Sequence, residues 1–73
     1  MNAKVVNRLA EILGSRKLKI SEVSRATGIS RSTLTNLYYE KGDAISFEVL
    51  NKLCKYLDCN VGDILQLSSE ESN

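Results

Sequence analysis

The sequence predicts an all-α protein of five short helices, and three observations support this prediction. Apolar residues recur every three or four positions along most of the chain, which is the spacing of a one-sided helical stripe. Serine, asparagine and glycine stand where such stripes begin or end, as capping residues do. The chain contains no proline, so no predicted helix is interrupted. We expect the helices at about 4–16, 21–27, 31–39, 47–57 and 61–66.

The first two predicted helices are separated by a short connection. The apolar stripe of the first consists of Val5, Val6, Leu9, Ile12 and Leu13. For the second, Ser21 is the predicted N-cap, and Ile20 before it can pack as a hydrophobic staple.

The last two predicted helices have clear starting residues. The fourth begins after Ser46 and the fifth after Asn60, both of which are favourable N-caps. The stripe expected to be buried in the fourth is Phe47, Leu50, Leu53, Cys54 and Leu57. Val61, Ile64 and Leu65 are expected to face the core from the fifth. We therefore predict one domain over residues 1–67 and a polar, acidic tail over 68–73.

Length and composition restrict the class of protein. Seventy-three residues with 42% hydrophobic content are typical of one small globular domain. No apolar run approaches the roughly 20 residues of a membrane span. The N-terminus also lacks the apolar stretch and cleavage site of a signal peptide. The sequence thus predicts a cytoplasmic protein without a membrane partner.

The net charge of +1 conceals an asymmetry between the two halves of the chain. Residues 1–42 hold eight Lys or Arg against three Asp or Glu, a net of +5, whereas residues 43–73 hold two against six, a net of −4. A basic half of this kind suits a surface that binds a polyanion.

The pattern that points to a function is centred on Gly28. Glycine can take the positive φ that ends one helix, and Ser24 is small where two helices would approach each other. Ile29 would fill the corner, while Leu34 and Leu37 would place one face of the next helix against the first. Two helices packed across such a turn form a helix-turn-helix, whose second helix can lie in the major groove of DNA.

The stretch from Ile20 to Leu34 resembles the helix-turn-helix of the Cro/CI transcriptional regulators, also called lambda-repressor-like or XRE regulators. Their signature, Gly-(Ile/Val)-Ser-Arg-Ser-Thr-(Ile/Leu), reads here from Gly28 to Leu34. The stretch from Leu50 to Leu65 is similar to the fourth and fifth helices of that family. The resemblance implies a five-helix fold and sequence-specific binding of an operator in double-stranded DNA, usually by a dimer.

The third predicted helix can be divided into two sides at 100° per residue. Leu34, Leu37 and Tyr38 share the inward side. The other side offers side chains that can pair with base edges: arginine with guanine, asparagine with adenine, and serine or threonine with bases or phosphates. The candidate base-reading residues are Arg31, Ser32, Thr33, Thr35 and Asn36.

Residues that flank this helix are candidates for contact with the DNA backbone. Phosphate contacts of this kind dominate affinity without specifying sequence. Many members of the family anchor a phosphate with a glutamine at the start of the second helix, a role left here to Lys19 or Ser21. The candidate backbone contacts are Lys19, Ser21, Ser30, Tyr39 and Lys41. Each of these side chains can also be an ordinary solvated one.

The composition argues against an enzyme. The chain has no histidine and two cysteines, Cys54 and Cys59, so a tetrahedral zinc site would need carboxylates to complete it. Two reduced, structural thiols are expected, with a disulfide as the alternative. No histidine is present as a base to activate a serine nucleophile. We therefore expect no enzyme activity, and we also expect no cofactor and no small-molecule ligand.

Two expectations concern protein partners. Apolar residues at the C-terminal end exceed what a small domain needs to bury, which predicts a homodimer through the C-terminal helices. These residues are Val61, Ile64, Leu65 and Leu67. The expected function is that of a DNA-binding regulator of the repressor type, and the alternative is a protein-interaction module on the same fold, such as an antitoxin or antirepressor. Salt-dependent binding to duplex DNA would distinguish the two.

Overall fold

The computed structural model describes residues 3–42 and 44–69. In chain order its elements are β1 Ala3–Asn7, α1 Leu9–Arg16, α2 Ile20–Thr27, α3 Arg31–Tyr38, α4 Phe47–Leu57, α5 Val61–Ile64 and β2 Leu65–Ser69. The five predicted helices are confirmed, and α4 has the predicted bounds. The prediction of a purely all-α fold is wrong, because β1 and β2 pair in a small antiparallel sheet.

This two-stranded ribbon replaces the first turn predicted for the N-terminal helix. Its register places Val5 opposite Leu67 and Asn7 opposite Leu65. Val5 is a β-branched residue, which suits a strand. Asn7 Oδ1 accepts a hydrogen bond from Leu9 N–H at 3.2 Å, so α1 begins at Leu9 and not near residue 4.

The C-terminal end also differs from the prediction. Helix α5 stops at Ile64, two residues before the predicted end, because Leu65 has the extended backbone that begins β2. Asn60 precedes α5 as expected, and its N–H donates to Asp63 Oδ2 at 2.9 Å. β2 includes residues 68 and 69, the first two of the predicted tail, while 70–73 lie outside the described residues.

All five helices contribute side chains to one core. Its members are at most 9% exposed and are Leu9, Leu13, Val23, Ile29, Leu34, Leu37, Leu50, Leu53, Leu57 and Ile64. Phe47 and Val61, predicted to face inward, are instead 89% and 50% exposed. Each is the first residue of its helix, and helical side chains tilt toward the N-terminus, so these two project beyond the helix end.

The packing of the helices positions the candidate site. Helix α3 packs against α1 and α2, and α4 packs against α2. The Arg16 guanidinium donates to the carbonyl oxygen of Leu57, which ties the end of α1 to the end of α4. The result is a core that supports α3 from behind. Within the described residues, no helix is long and apolar enough to cross a membrane.

Candidate nucleic-acid interface

The turn between α2 and α3 is built by a few local hydrogen bonds. Gly28 ends α2 at φ +82°, a left-handed conformation that a side chain disfavours. Ser24 Oγ donates to the carbonyl oxygen of Ile29 at 2.6 Å, and Thr27 Oγ1 accepts from Ile29 N–H at 3.2 Å. Because Ile29 itself is buried in the core, the turn is fixed by polar bonds on one side and apolar packing on the other.

The start of α2 differs from the sequence prediction. Helix α2 begins at Ile20 with Lys19 at the N-cap, so Ser21 lies inside the first turn and does not cap it. A lysine side chain carries no acceptor. The start of α2 is held instead by Glu22, whose Oε1 accepts a hydrogen bond from the Lys19 N–H at 2.8 Å. The Lys19 ammonium group is therefore not needed for capping.

The start of α3 is a cluster of hydroxyl groups. Ser30 is the N-cap, and its Oγ accepts a hydrogen bond from Thr33 N–H at 3.2 Å. The same Ser30 hydroxyl donates to Thr33 Oγ1 at 2.9 Å and lies 3.4 Å from Ser32 Oγ. Ser30 and Thr33 thus hold the first turn of α3 together, which leaves the Ser32 hydroxyl as the more available of the three.

The outward face of α3 contains the predicted base-reading residues. Arg31, Ser32 and Asn36 are exposed, whereas Thr33 and Thr35 are half-buried. Leu34 and Leu37 on the opposite face are buried in the core. Among residues 3–42 and 44–69, neither the Arg31 guanidinium nor the Asn36 amide has an intramolecular partner. Both side chains can therefore form hydrogen bonds with another molecule.

A shallow groove of about 330 Å³ runs between α3 and the segment that leads into α4. Its lining brings together Thr33, Asn36 and Lys41 from the predicted set. The chain folds back here because Lys41 N–H donates to the Asn36 carbonyl oxygen at 2.7 Å. Lys19 and Ser21, at the start of α2, share neither this groove nor the hydroxyl cluster.

The far wall of the groove contains a residue that the sequence analysis does not assign to the site. Ser46 lines it, at the N-cap of α4, where its Oγ accepts from Val49 N–H at 3.1 Å. The sequence does contain a signal at Ser46, since the residue is recognisable as a helix start. The sequence does not reveal its tertiary placement, because only the folded loop brings Ser46 opposite Asn36.

The remaining predicted backbone contact, Tyr39, follows directly after α3. It is exposed, and its ring packs edge-to-face on Tyr38 with the ring centroids 5.0 Å apart.

The ion pairs of the described residues lie away from the candidate site. One joins Arg8 to Glu11 near the start of α1, and the other joins Lys52 to Glu48 on α4. The cationic groups of the predicted site are Lys19, Arg31 and Lys41, and in that part of the chain none of them forms an ion pair with a carboxylate.

The two thiols belong to the end of α4. Cys59 N–H donates to the Cys54 carbonyl oxygen at 3.1 Å, and both side chains are free and half-buried. Burial raises the pKa of the Cys59 thiol, and the adjacent Cys54 thiol and the Asp63 carboxylate add to this effect. A raised pKa keeps the thiol protonated near neutral pH, which makes it a poor nucleophile. Within the described residues, no three His, Cys, Asp or Glu side chains are placed to hold a metal ion.

Two short helices packed across a tight turn, with exposed polar side chains on the outer face of the second, define a helix-turn-helix domain. Residues 8–70 match the Cro/C1-type HTH DNA-binding domain. The chain belongs to this family, which confirms the resemblance seen in the sequence.

Two similar proteins are also transcriptional regulators. The chain is 34% identical over 67 residues to YozG of Bacillus subtilis (strain 168), an uncharacterized HTH-type transcriptional regulator, with 92% of this chain and 80% of YozG covered. It is also similar to the crystal structure of the transcriptional regulator VanUg, with a TM-score of 0.70 and 34% identity. That match covers 92% of this chain and 88% of VanUg. The family is one of DNA-binding transcriptional regulators.

Proposed function

We propose that this domain binds a specific operator in double-stranded DNA and represses transcription from it. Helix α3 enters the major groove, and the outward face of α3 reads base edges. The proposed readers are Arg31, Ser32, Thr33, Thr35 and Asn36. Repression follows from occupancy, because a domain seated in the major groove excludes other proteins from the same base pairs.

The observation that carries this proposal is the contrast between the two faces of α3. Leu34 and Leu37 are buried, so the orientation of the helix is fixed by the core. Asn36 and Arg31 are exposed and have no partner among the described residues. Asparagine can bind adenine through two hydrogen bonds, and arginine can bind guanine in the same way. Thr33 has a smaller part in this scheme, since its hydroxyl is already bonded to Ser30.

Basic and hydroxyl groups around α3 supply the contacts to the DNA backbone in this proposal. Lys41 lines the same groove as Asn36, and Lys19 is the N-cap of α2. Ser21, Ser30 and Tyr39 complete the set. Contacts to phosphate position the protein without reading sequence. We also propose that the operator is a palindrome bound by a homodimer, with half-site centres about 34 Å apart.

The first experiment is a selection of bound sequences from a random pool of duplexes, followed by titration of the selected duplex at several salt concentrations. If three or four phosphates are neutralised per subunit, the log–log slope for a dimer is roughly −5 to −7. Binding that does not depend on salt, or no enrichment of any sequence, would favour the protein-interaction module instead.

A further inference from the structure

We propose that Cys54 and Cys59 are a site of reversible oxidation, where a disulfide forms within one chain and locks the end of α4. The inference goes beyond the proposed DNA binding and does not depend on it. Both thiols are free and half-buried in the structure. A disulfide requires two cysteines with close backbones and with side chains that point toward each other. The end of α4 meets both requirements.

The backbone at the end of α4 brings the two cysteines together. Asp58 follows the helix at φ +54°, a left-handed conformation that turns the chain back on itself. Cys59 N–H then donates to the Cys54 carbonyl oxygen at 3.1 Å. A bond between the first and last of six residues is the mark of a Schellman cap. Given this bond, standard bond lengths place the two Cα atoms no more than about 7 Å apart, which is the upper limit for a disulfide.

The side chains at these two positions also meet. In a Schellman cap, a residue in the last turn of the helix commonly makes an apolar contact with the second residue beyond the helix end. Here both positions are cysteine, and both side chains pack against the core. Burial is the main cause of the raised pKa of the Cys59 thiol, and the adjacent Cys54 thiol is the next. A contact that is usually inert thus consists of two sulfur atoms that can form a bond.

A small oxidant can reach the pair from a surface pocket of about 410 Å³. Cys59 lines this pocket, together with three carboxylates and two guanidinium groups. These charged residues are Arg8, Glu11, Arg16, Asp58 and Asp63. Because both signs of charge are present, the pocket has no strong preference for an anion or a cation. We therefore expect access to the thiols to depend mainly on the size of the oxidant.

The proposed reaction is thiol–disulfide exchange with a small-molecule disulfide. One thiolate of the pair attacks a sulfur atom of the small disulfide, which breaks that S–S bond and releases one small thiol. The second thiolate then attacks the protein sulfur atom of the mixed disulfide and releases the other small thiol. The protein loses two electrons and two protons, and two small thiols form. In a reducing compartment the pair stays reduced, so it responds only to a shift toward oxidising conditions.

The disulfide fixes a junction between three helices. The Leu57 carbonyl oxygen, in the last turn of α4, accepts a hydrogen bond from Arg16 of α1. Helix α5 begins at Val61, shortly after Cys59. A cross-link between Cys54 and Cys59 restricts the unfolded forms of this connection. Because domains below about 70–80 residues have small cores, such links contribute strongly to their stability. Oxidation is therefore expected to stabilise the folded domain.

The first test compares the natural pair with a matched pair on the same helix. The control combines Cys54→Ala and Cys59→Ala with Asn51→Cys and Tyr56→Cys, at two exposed positions of α4. This second pair has the same separation in sequence, but helix geometry holds its Cα atoms about 8.6 Å apart, beyond disulfide range. Both proteins are incubated with glutathione and glutathione disulfide at about pH 8.5, where thiolates are abundant.

The products are identified by thiol titration and mass spectrometry. We expect the wild-type chain to become a monomer without free thiols, lighter by two hydrogen atoms, and to recover both thiols in dithiothreitol. The control should carry glutathione adducts instead. Wild-type thiols that stay free, carry glutathione on each sulfur atom or cross-link two chains overturn the proposal. An internal disulfide formed equally well in the control contradicts the geometric argument.

A second test measures what the disulfide does to the domain. The Tm of the oxidised wild-type chain should exceed that of the reduced chain by roughly 5–15 °C. Cys59→Ser is the control, because it keeps a side chain of similar size but cannot form the bond, so the same treatment should leave its Tm unchanged. An oxidised wild-type chain with an equal or lower Tm would show that the disulfide does not lock the end of α4.

Discussion

The turn between α2 and α3 and the ribbon of β1 and β2 are held together in opposite ways. In the turn, Ser24 Oγ forms a hydrogen bond with Ile29, five positions away. The other side-chain hydrogen bonds of the turn join residues that are still closer in sequence. In the ribbon, paired residues are 58 positions apart at Asn7–Leu65 and more elsewhere. The turn buries an isoleucine in the core, whereas the ribbon leaves Val5 and Leu67 exposed.

The turn therefore depends on residues close to it in sequence, whereas the ribbon depends on the two ends of the chain coming together. The conformation of the turn depends on a few neighbouring residues and on the core beneath it, so α3 has its orientation before any partner arrives. The ribbon closes a loop that includes nearly the whole chain, and it gains little burial in return. The two regions should therefore respond differently to substitution. The predictions below test that division.

The largest difference is expected between two leucines. Leu34, on the inner face of α3, is fully buried, so Leu34→Ala should lower the free energy of unfolding by about 2–5 kcal/mol. Leu67→Ala on the ribbon should change it by less than about 0.5 kcal/mol at protein concentrations where the chain is monomeric. Urea unfolding followed by circular dichroism measures both. Equal losses for the two variants would contradict the division.

The next effect concerns glycine in the turn. No atom lies within 4 Å of a Cβ added at Gly28, so the cost of Gly28→Ala comes from its φ of +82° and should be about 1–2 kcal/mol. Gly14→Ala is the control: its Cβ also meets open space and its φ is not positive. Within α1 it should stabilise the domain by about 0.5–1 kcal/mol. Thermal unfolding of both variants tests the sign of each change.

A smaller effect is expected for the hydroxyl group of Ser24. Ser24→Ala removes the 2.6 Å bond to the Ile29 carbonyl oxygen and should cost about 1 kcal/mol. Ser15→Ala is matched to it, because Ser15 Oγ donates to the Ile12 carbonyl oxygen at an exposed site on α1. That variant should be close to wild type in the same unfolding experiment. A larger loss for Ser15→Ala would show that the turn has no special dependence on its side-chain bonds.

The same division explains which parts of the fold are predictable from the sequence. Gly28, Ser30 and Leu34 act on residues a few positions away, so their local pattern is sufficient to place the turn and α3. The start of the first helix is predicted wrongly because Val5 and Val6 fit a helical stripe and a strand equally well. Strand β2, whose pairing makes this segment a strand, lies at the other end of the chain, and no local pattern near Val5 indicates that pairing. Phe47 is misplaced for a different reason, because helical spacing does not show that the side chain of the first residue projects beyond the end of the helix.

The candidate site shows the same limit. Arg31 and Asn36 can be assigned to the outward face of α3 from helical periodicity, and both are exposed. Ser21 cannot be placed correctly, because the actual cap uses the Glu22 carboxylate and begins the helix one residue earlier. The groove shared by Asn36, Lys41 and Ser46 requires the path of the loop between α3 and α4.

The central claim is that α3 reads DNA sequence while its neighbours contact phosphates. Its most direct test is the titration of Asn36→Ala and Lys41→Ala against the selected duplex and a scrambled one at several salt concentrations. Asn51→Ala is the control, since this asparagine is also exposed but lies on α4. The same titration of an Arg31→Ala variant decides whether Arg31 contacts a base or a phosphate.

We expect Asn36→Ala to lose about 1–3 kcal/mol of affinity for the selected duplex, to relax the preference at one base position per half-site, and to bind the scrambled duplex like wild type. Lys41→Ala should weaken binding to both duplexes equally and make the salt slope about one unit shallower per subunit. If Asn36→Ala bound the selected duplex as tightly as wild type and Asn51→Ala, α3 would not lie in the major groove as proposed.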